Sequence, residues 1–292
     1  MTMAATNPPT TLPAPLAAKR DQLLEVLRGY QHCVVALSAG VDSAVVAKAA
    51  FLALGEQASA VTASSASLAA GELDMAISLA RQIGIRHQTV ATDEFADPDY
   101  VRNNHDRCYH CKTELYTQLT PLALSAEAVI ANGANLDDQG DYRPGMQAAS
   151  EHQVRSPLIE CGLTKDEVRQ LAAHWGLPVW DKPATPCLSS RVAYGEEVTP
   201  ERVAMIDQAE QHLRSLGLRT LRVRYHRGDL ARLEVPLDAL PRLCEPGIRD
   251  KLVRRLRELG FRFVTLDLEG FRSGSLNTLV PIESLLKSPK TR

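Results

Sequence analysis

The chain has 292 residues, 45% of them hydrophobic, and a formal net charge of −2. That length suits one large domain or two ordinary ones with a packed core, and the charge leaves no bulk basic field to draw it to nucleic acid or an anionic membrane. No apolar run approaches the roughly 18–20 residues that a membrane span needs.

Residues 1–18, rich in Ala, Thr and Pro, read as a disordered tail with no signal-peptide character. These features imply a cytoplasmic protein, where thiols stay reduced and the six cysteines point to metal or catalysis more than to disulfides. A helix is expected over 16–28. The apolar run 32–37 suits a strand buried on both faces, as in a parallel sheet. An Ala-rich helix over 44–54 follows, closed by Gly55. Strands are expected at 58–62, 87–90 and 128–132, with helices at 71–83 and about 103–119 between them. This alternation predicts a doubly wound α/β layer. Leu163-Thr164-Lys165-Asp166-Glu167-Val168 carries a capping box, Thr164 with Glu167, that starts a helix ended by Gly176 and Pro178.

The organisation changes after about Tyr194. Thr199-Pro200 starts a helix with Val203, Ile206, Leu213 and Leu216 on one face. Strands near 220–226 and 230–236 flank a turn at Gly228-Asp229, and a helix near 247–259 precedes a strand over 261–268. The order αββαβ predicts a small α+β domain. The expected division is 19–194 for the α/β domain and 195–292 for the smaller one.

Two segments carry chemistry. Ser38-Ala39-Gly40-Val41-Asp42-Ser43 lies between a buried strand and a helix. Small residues there let backbone N–H groups approach an anion, and the helix N-terminus adds partial positive charge. The hydroxyls of Ser38 and Ser43 add donors, and Asp42 offers oxygen to Mg²⁺. There is no Gly-Lys-Ser/Thr as in a Walker loop, and an ordinary tight turn would use the same residues. In the second segment, Asp181 to Arg191, Pro183 and Pro186 hold the chain extended. Cys187 then sits in a rigid loop beside Lys182 and Arg191, cations that favour the nucleophilic thiolate. In 221–226, alternation puts Arg222 and Arg224 on one strand face, a pair suited to a phosphate. Glu234 is their expected partner on the next strand, and a solvated face salted by Glu234 is the alternative.

The loop at Ser38 resembles the Ser-Gly-Gly-x-Asp-Ser signature of the PP-loop pyrophosphatases, with Ala39 where that signature has Gly. Gly133-x-Asn135-x-Asp137-Asp138 is similar to the later acidic loop of that superfamily. Three further stretches narrow the resemblance to the ATP-dependent sacrificial sulfur transferases (LarE). They are Pro183 to Arg191 with Tyr194-Gly195-Glu196, Arg107 to Leu115, and Thr265 to Asn277. The resemblance runs from about Leu23 to Leu279. It implies an adenine nucleotide α-hydrolase-like sheet and cleavage of ATP between its α- and β-phosphates. It also implies that carboxylates of pyridinium-3,5-biscarboxylic acid mononucleotide become thiocarboxylates, on the way to a nickel-pincer nucleotide cofactor. ATP would be bound by residues 38–43 with Thr62, Gly133 and Asn135. The nucleotide substrate would be bound by Ser190, Arg191, Arg222, Arg224, Glu234 and Asp267. Cys187 would attack the acyl-adenylate and surrender its sulfur, leaving dehydroalanine. Homo-oligomers are typical of the family.

Cys108-x-x-Cys111 adds a second route. With Cys187 it resembles the ligand set of a [4Fe–4S] cluster that leaves one iron open, whose sulfide would be transferred in place of the cysteine's. A zinc site completed by His105 or His110, a redox dithiol and two unrelated helix cysteines are the alternatives. Cys33 falls in the core strand and reads as packing, while Cys161 and Cys244 carry no signal. A PP-loop amidating ligase needs an ammonia source, and no N-terminal Cys glutaminase is visible. A PP-loop tRNA thiolase should carry a basic patch. A non-catalytic nucleotide or metal carrier would differ by lacking ATP turnover.

Overall fold

The structure, a computed structural model, describes residues 12–140 and 144–272. The start of the expected tail, and residues 273–277 of the C-terminal motif, lie outside the described residues. The fold divides into two compact units. The first takes in the chain up to Ser64, Gly71–Thr92 and Cys111–Thr185; the second takes in Ser65–Ala70, Asp93–His110 and the chain from Pro186. The change of organisation expected near Tyr194 therefore falls inside the second unit.

In chain order the elements are α1 (Ala14–Gly29), β1 (Cys33–Ala36), α2 (Val41–Leu54), β2 (Ala58–Ser64), α3 (Glu72–Ile83) and β3 (Arg86–Ala91). Then come α4 (Pro98–Val101), α5 (Arg107–Ser125), β4 (Val129–Ala131), α6 (Pro144–Glu151), α7 (Pro157–Glu160) and α8 (Lys165–His174). The last are α9 (Pro200–Ser215), β5 (Arg222–His226), β6 (Leu230–Glu234), α10 (Leu240–Cys244), α11 (Pro246–Glu258) and β7 (Phe263–Leu266). Among the described residues no helix is long and apolar enough to cross a membrane.

The first unit is built on a four-stranded sheet in the order β3-β2-β1-β4, every pairing parallel. Cys33 and Val35 are fully buried, as a central parallel strand requires. Helix α2 buries Ala44, Val45, Val46, Ala47, Ala49 and Ala50, so its small side chains let it sit inside the unit rather than on it. Helix α1 starts at Ala14 and buries Leu16, which shortens the tail expected up to residue 18. At α8 the capping box is present: Glu167 N donates to Thr164 Oγ1 at 3.3 Å, and Thr164 N to Glu167 Oε2 at 2.9 Å.

The helix expected from about 103 begins only at Arg107, because Asn103 adopts φ +56°. Left-handed backbone cannot continue a helix.

In the second unit β5, β6 and β7 form a three-stranded sheet in that order, antiparallel then parallel. The three-residue turn between β5 and β6, residues 227–229, uses φ +78° at Gly228 and +56° at Asp229, left-handed angles that Gly and Asp tolerate. Helix α9 buries Val203, Ile206, Ala209 and Leu213, close to the face expected. An α/β unit with a parallel sheet and a smaller α+β unit is therefore the architecture. The short helices α4, α6, α7 and α10 have no counterpart in the sequence reading.

Candidate active site

In the first unit, the loop between β1 and α2 is stitched by its own serines. Ser38 N donates to Ser43 Oγ at 3.1 Å, Ser43 Oγ donates to Gly40 O at 3.2 Å, and the two hydroxyls lie 3.1 Å apart. Gly40 caps α2 in extended conformation without a side-chain bond to the first turn, so that turn keeps the N–H groups an anion uses. Ala39 is fully buried at φ +56°. Its methyl group sits where L-residues are strained and Gly is not.

The loop after β4 closes on the same place. A Cβ at Gly133 would lie 2.5 Å from Ser43 N and 2.9 Å from Asp42 C. Residue 133 is therefore held to glycine by contact with the first turn of α2. Asn135 Nδ2 donates to Asp42 Oδ1 at 3.2 Å, while Asn135 N and Asp137 N bond within their own loop, to Asp138 Oδ2 and Asn135 Oδ1. Lys165 Nζ pairs with Asp42 Oδ2, and Lys165 N donates to Asp137 Oδ2 at 2.8 Å. The sequence reading missed Lys165. The signal was there: a phosphate loop without its own lysine needs a cation from elsewhere, and Lys165 opens a well-capped helix.

One expectation changes here. Lys182 does not serve Cys187; its ammonium donates to Ala39 O at 3.1 Å and Glu72 Oε2 at 2.7 Å. Thr62 is buried, and its hydroxyl donates to Leu37 O at 2.7 Å while lying 2.8 Å from His87 Nε2. With its one proton spent on Leu37, Thr62 accepts from a neutral His87. Burial lowers the pKa of His87 accordingly.

The second unit carries Cys187, half-buried at the entrance to a 3₁₀ turn over Leu188–Arg191. Arg191 is wholly buried and donates to Pro186 O and, at 2.8 Å, to Cys187 O. Its other edge meets the equally buried Glu210 at 3.0 Å. Arg191 thus holds the backbone on either side of Cys187 and leaves no exposed surface for a substrate. Ser190 Oγ also donates to Cys187 O, at 2.7 Å. Leu188 N donates to Ser67 O at 2.9 Å, and both Ser65 and Ser67 hydroxyls donate to the buried Glu94 Oε1 at 2.6 Å. Residues 93–110 brace the far side: Tyr100 Oη lies 2.6 Å from Ser189 Oγ, and Asn103 Nδ2 donates to the carbonyls of Val192, Ala193 and Glu196.

Cys108, exposed, and Cys111, half-buried, lie one turn apart on α5. Arg107 beside them is buried; burial alone would lower its pKa, but the charges of Cys187 and Cys108, with Tyr100 and Tyr194, hold it above its ordinary value. Among the described residues the one trio of ligand-type side chains within 4.8 Å of one another is Asp97, Asp99 and His110. His110 Nδ1 lies 3.0 Å from Asp97.

On β5 and β6, Arg224 is buried, meets Glu234 at 2.9 Å and donates to Ser190 O at 3.0 Å. Arg232 also meets Glu234, at 3.0 Å, and Asp267 at 3.6 Å. Arg222 lies over the ring of Phe271, 5.2 Å from its centroid. Burial, reinforced by the charge of Arg191, brings its pKa down to about 10. A half-buried guanidinium pressed by other arginines is a place where an added anion is stabilised. Glu210, Arg107 and Asn103 were not singled out from sequence. Arg107 stood beside the Cys pair, but only the fold turns it onto the Cys187 loop.

Residues 20–106 match the NAD synthase family model. The chain is 46% identical to an uncharacterised protein of Synechocystis sp., over 91% of this chain and 99% of that protein. It is 40% identical to the pyridinium-3,5-bisthiocarboxylic acid mononucleotide synthase of Lactiplantibacillus plantarum, over 90% of this chain and 95% of that one. It is 28% identical to a subunit of the glutamine-hydrolysing GMP synthase of Pyrococcus furiosus, over 65% and 66% of the two chains.

Proposed function

The chain belongs to the family of the pyridinium-3,5-bisthiocarboxylic acid mononucleotide synthases (LarE), ATP-using PP-loop proteins, and from that premise we propose that it adenylylates the carboxylates of pyridinium-3,5-biscarboxylic acid mononucleotide and converts them to thiocarboxylates. ATP binds with its phosphates against residues 38–43, and Asp42 offers oxygen to Mg²⁺, a hard cation that its carboxylate fits. Mg²⁺ held by Asp42 would offset phosphate charge, and Lys165, which pairs with Asp42, would serve the departing pyrophosphate. A carboxylate oxygen leaves poorly; joined to AMP it leaves well.

Cys187 thiolate attacks the acyl-adenylate carbon, the C–O bond to AMP breaks, and a thioester to the enzyme forms. Loss of the Cys187 Cα proton with cleavage of its Cβ–S bond releases the thiocarboxylate and leaves dehydroalanine. Arg222 and Arg224 take the substrate phosphate, with Glu234 orienting Arg224, Asp267 beside the neighbouring Arg232 and Ser190 beside the cysteine. The soft thiolates of Cys108, Cys111 and Cys187 fit an iron–sulfur cluster. Such a cluster would supply sulfide to the acyl group and spare Cys187. We further propose a cytoplasmic homo-oligomer.

The observation that carries this reading is the bracing of Cys187 by a buried arginine on the carbonyls of Pro186 and Cys187. A merely packed cysteine needs no such frame. The test is turnover with Mg²⁺-ATP and the biscarboxylate nucleotide. AMP and pyrophosphate should appear, and Cys187→Ala should still release AMP while forming no thiocarboxylate. ADP as product, or thiocarboxylate from the Ala variant at the normal rate, would refute it. Anaerobic reconstitution with iron and sulfide should load wild type and fail with Cys108→Ala.

A further inference from the structure

Arg107 is 4% exposed, so its guanidinium lies out of water. Its hydrogen bonds go to Ser189 O, at 2.8 Å, and to Asn103 Oδ1. Both acceptors are neutral. A buried guanidinium needs a compensating negative charge, because desolvating a cation costs more than neutral acceptors return. One bond from Arg107 reaches Ser189, two residues beyond Cys187 on the same 3₁₀ turn. Its own peptide bond leads into Cys108. One side chain therefore joins both cysteine segments and brings positive charge to each.

Asn103 makes the comparison possible. It clamps the carbonyls of Val192, Ala193 and Glu196 and is fully buried. It braces the same loop as Arg107 and carries no charge.

We propose that Arg107 is a positioning residue of the sulfur step: it holds the Cys187 turn through Ser189 and presents to Cys187 the positive charge that draws an anionic reaction partner to the thiol. The part of this concerning sulfur rests on the function proposed above; the part concerning charge does not.

The charge is read by alkylation. Full-length protein in chelating buffer is treated, at one pH, with neutral iodoacetamide and with anionic iodoacetate, and Cys187 modification is followed by peptide mass spectrometry. The ratio of the two rates cancels the amount of thiolate, since both reagents consume the same species. In wild type the iodoacetate to iodoacetamide ratio at Cys187 should exceed that of N-acetylcysteinamide by about tenfold. Arg107→Gln should lower the ratio by about threefold or more, and Arg107→Lys should retain most of it. Asn103→Gly should lower the melting temperature and leave the ratio unchanged.

A wild-type ratio equal to that of the free thiol overturns the proposal without any variant, and so it stays testable if Arg107→Gln does not fold. A Gln variant that keeps the wild-type ratio, or a Lys variant that falls as far as Gln, also overturns it. In turnover, Arg107→Gln should release AMP at the wild-type rate while forming thiocarboxylate about tenfold more slowly. Equal loss of both products overturns the positioning role. If wild type releases no AMP, the proposed function fails, and the alkylation ratio still decides on Arg107.

Discussion

Residues 37–43 and 186–191 are both short irregular segments that run into a helical turn, yet they are held by different means. The first is held by smallness and closeness: paired serine hydroxyls, a buried Ala39 at φ +56°, and Gly133 with no room for a Cβ. The second is held by buried charge: Arg191 against Glu210, Arg107 on Ser189 O, Arg224 on Ser190 O. A loop that must receive phosphate oxygens has to leave its own N–H groups for the ligand, so the protein packs it with groups that ask for little. A loop that must present one sulfur can spend every backbone carbonyl on rigidity, and arginine, with five donors, takes several at once.

The sharpest way to break this comparison is at Gly133. Gly133→Ala should cut AMP formation by about a hundredfold or more, since displacement of catalytic groups by an ångström has that effect. Normal turnover in that variant would mean the acidic loop does not shape the phosphate site.

Next in size is the buried pair. Arg191→Ala leaves the buried Glu210 with Arg214, at 2.8 Å, and the Val223 amide, at 3.2 Å, and should lose about 3–5 kcal/mol in urea unfolding. A loss below about 1 kcal/mol would place the pair with exposed ion pairs, which contribute little.

Ala39→Gly tests the strain assigned to the phosphate loop. Relief of a left-handed alanine, about 1–2 kcal/mol, is partly offset by the roughly 0.5–1 kcal/mol of chain entropy that Gly loses. A net gain of about 0.5 kcal/mol in thermal unfolding is expected, together with tighter ATP binding. A less stable Gly variant would argue that Ala39 is packed for its methyl group.

The smallest effect concerns His87. Its pKa is lowered in the folded state by burial, so the unfolded chain takes up the proton first as pH falls below about 6.5. The stability contributed by neutral His87 is present above that pH and is lost as pH falls toward the folded value. His87→Gln should therefore flatten the decline in melting temperature between pH 7 and pH 5. An unchanged slope would remove His87 from the acid response.

What could be read from sequence divides in the same way. The parallel strands, the capped helix at Thr164 and the phosphate loop each rest on neighbours within a few residues, where periodicity, caps and small residues speak directly. The loop at Cys187 rests on partners far along the chain. Arg107 lies 82 residues from Ser189, and Arg191 lies 19 from Glu210. Nothing near Lys182 signals that its ammonium turns to Ala39 O, 143 residues away, rather than to the neighbouring cysteine. Nearness in sequence is there a poor guide to nearness in space. Arg222 and Arg224 were legible as a strand pair because alternation is local. That Arg224 spends itself on Glu234 and Ser190 O was only half legible, through Glu234.

The second unit takes Ser65–Ala70 and Asp93–His110 from the middle of the chain. Those residues leave the ribosome long before the segment they brace. Until Pro186 and the residues after it have been made, Asn103 has no carbonyls to clamp and Ser67 no amide to receive. The frame around Cys187 therefore closes late, after the parallel sheet has had time to form, and by contacts of long sequence separation, which are slow to find. A shortened chain ending near Thr185 would strand a buried arginine and a left-handed asparagine without partners. A fragment beginning at Pro186 would carry the cysteine without its walls. The thiol is in place only in a finished chain.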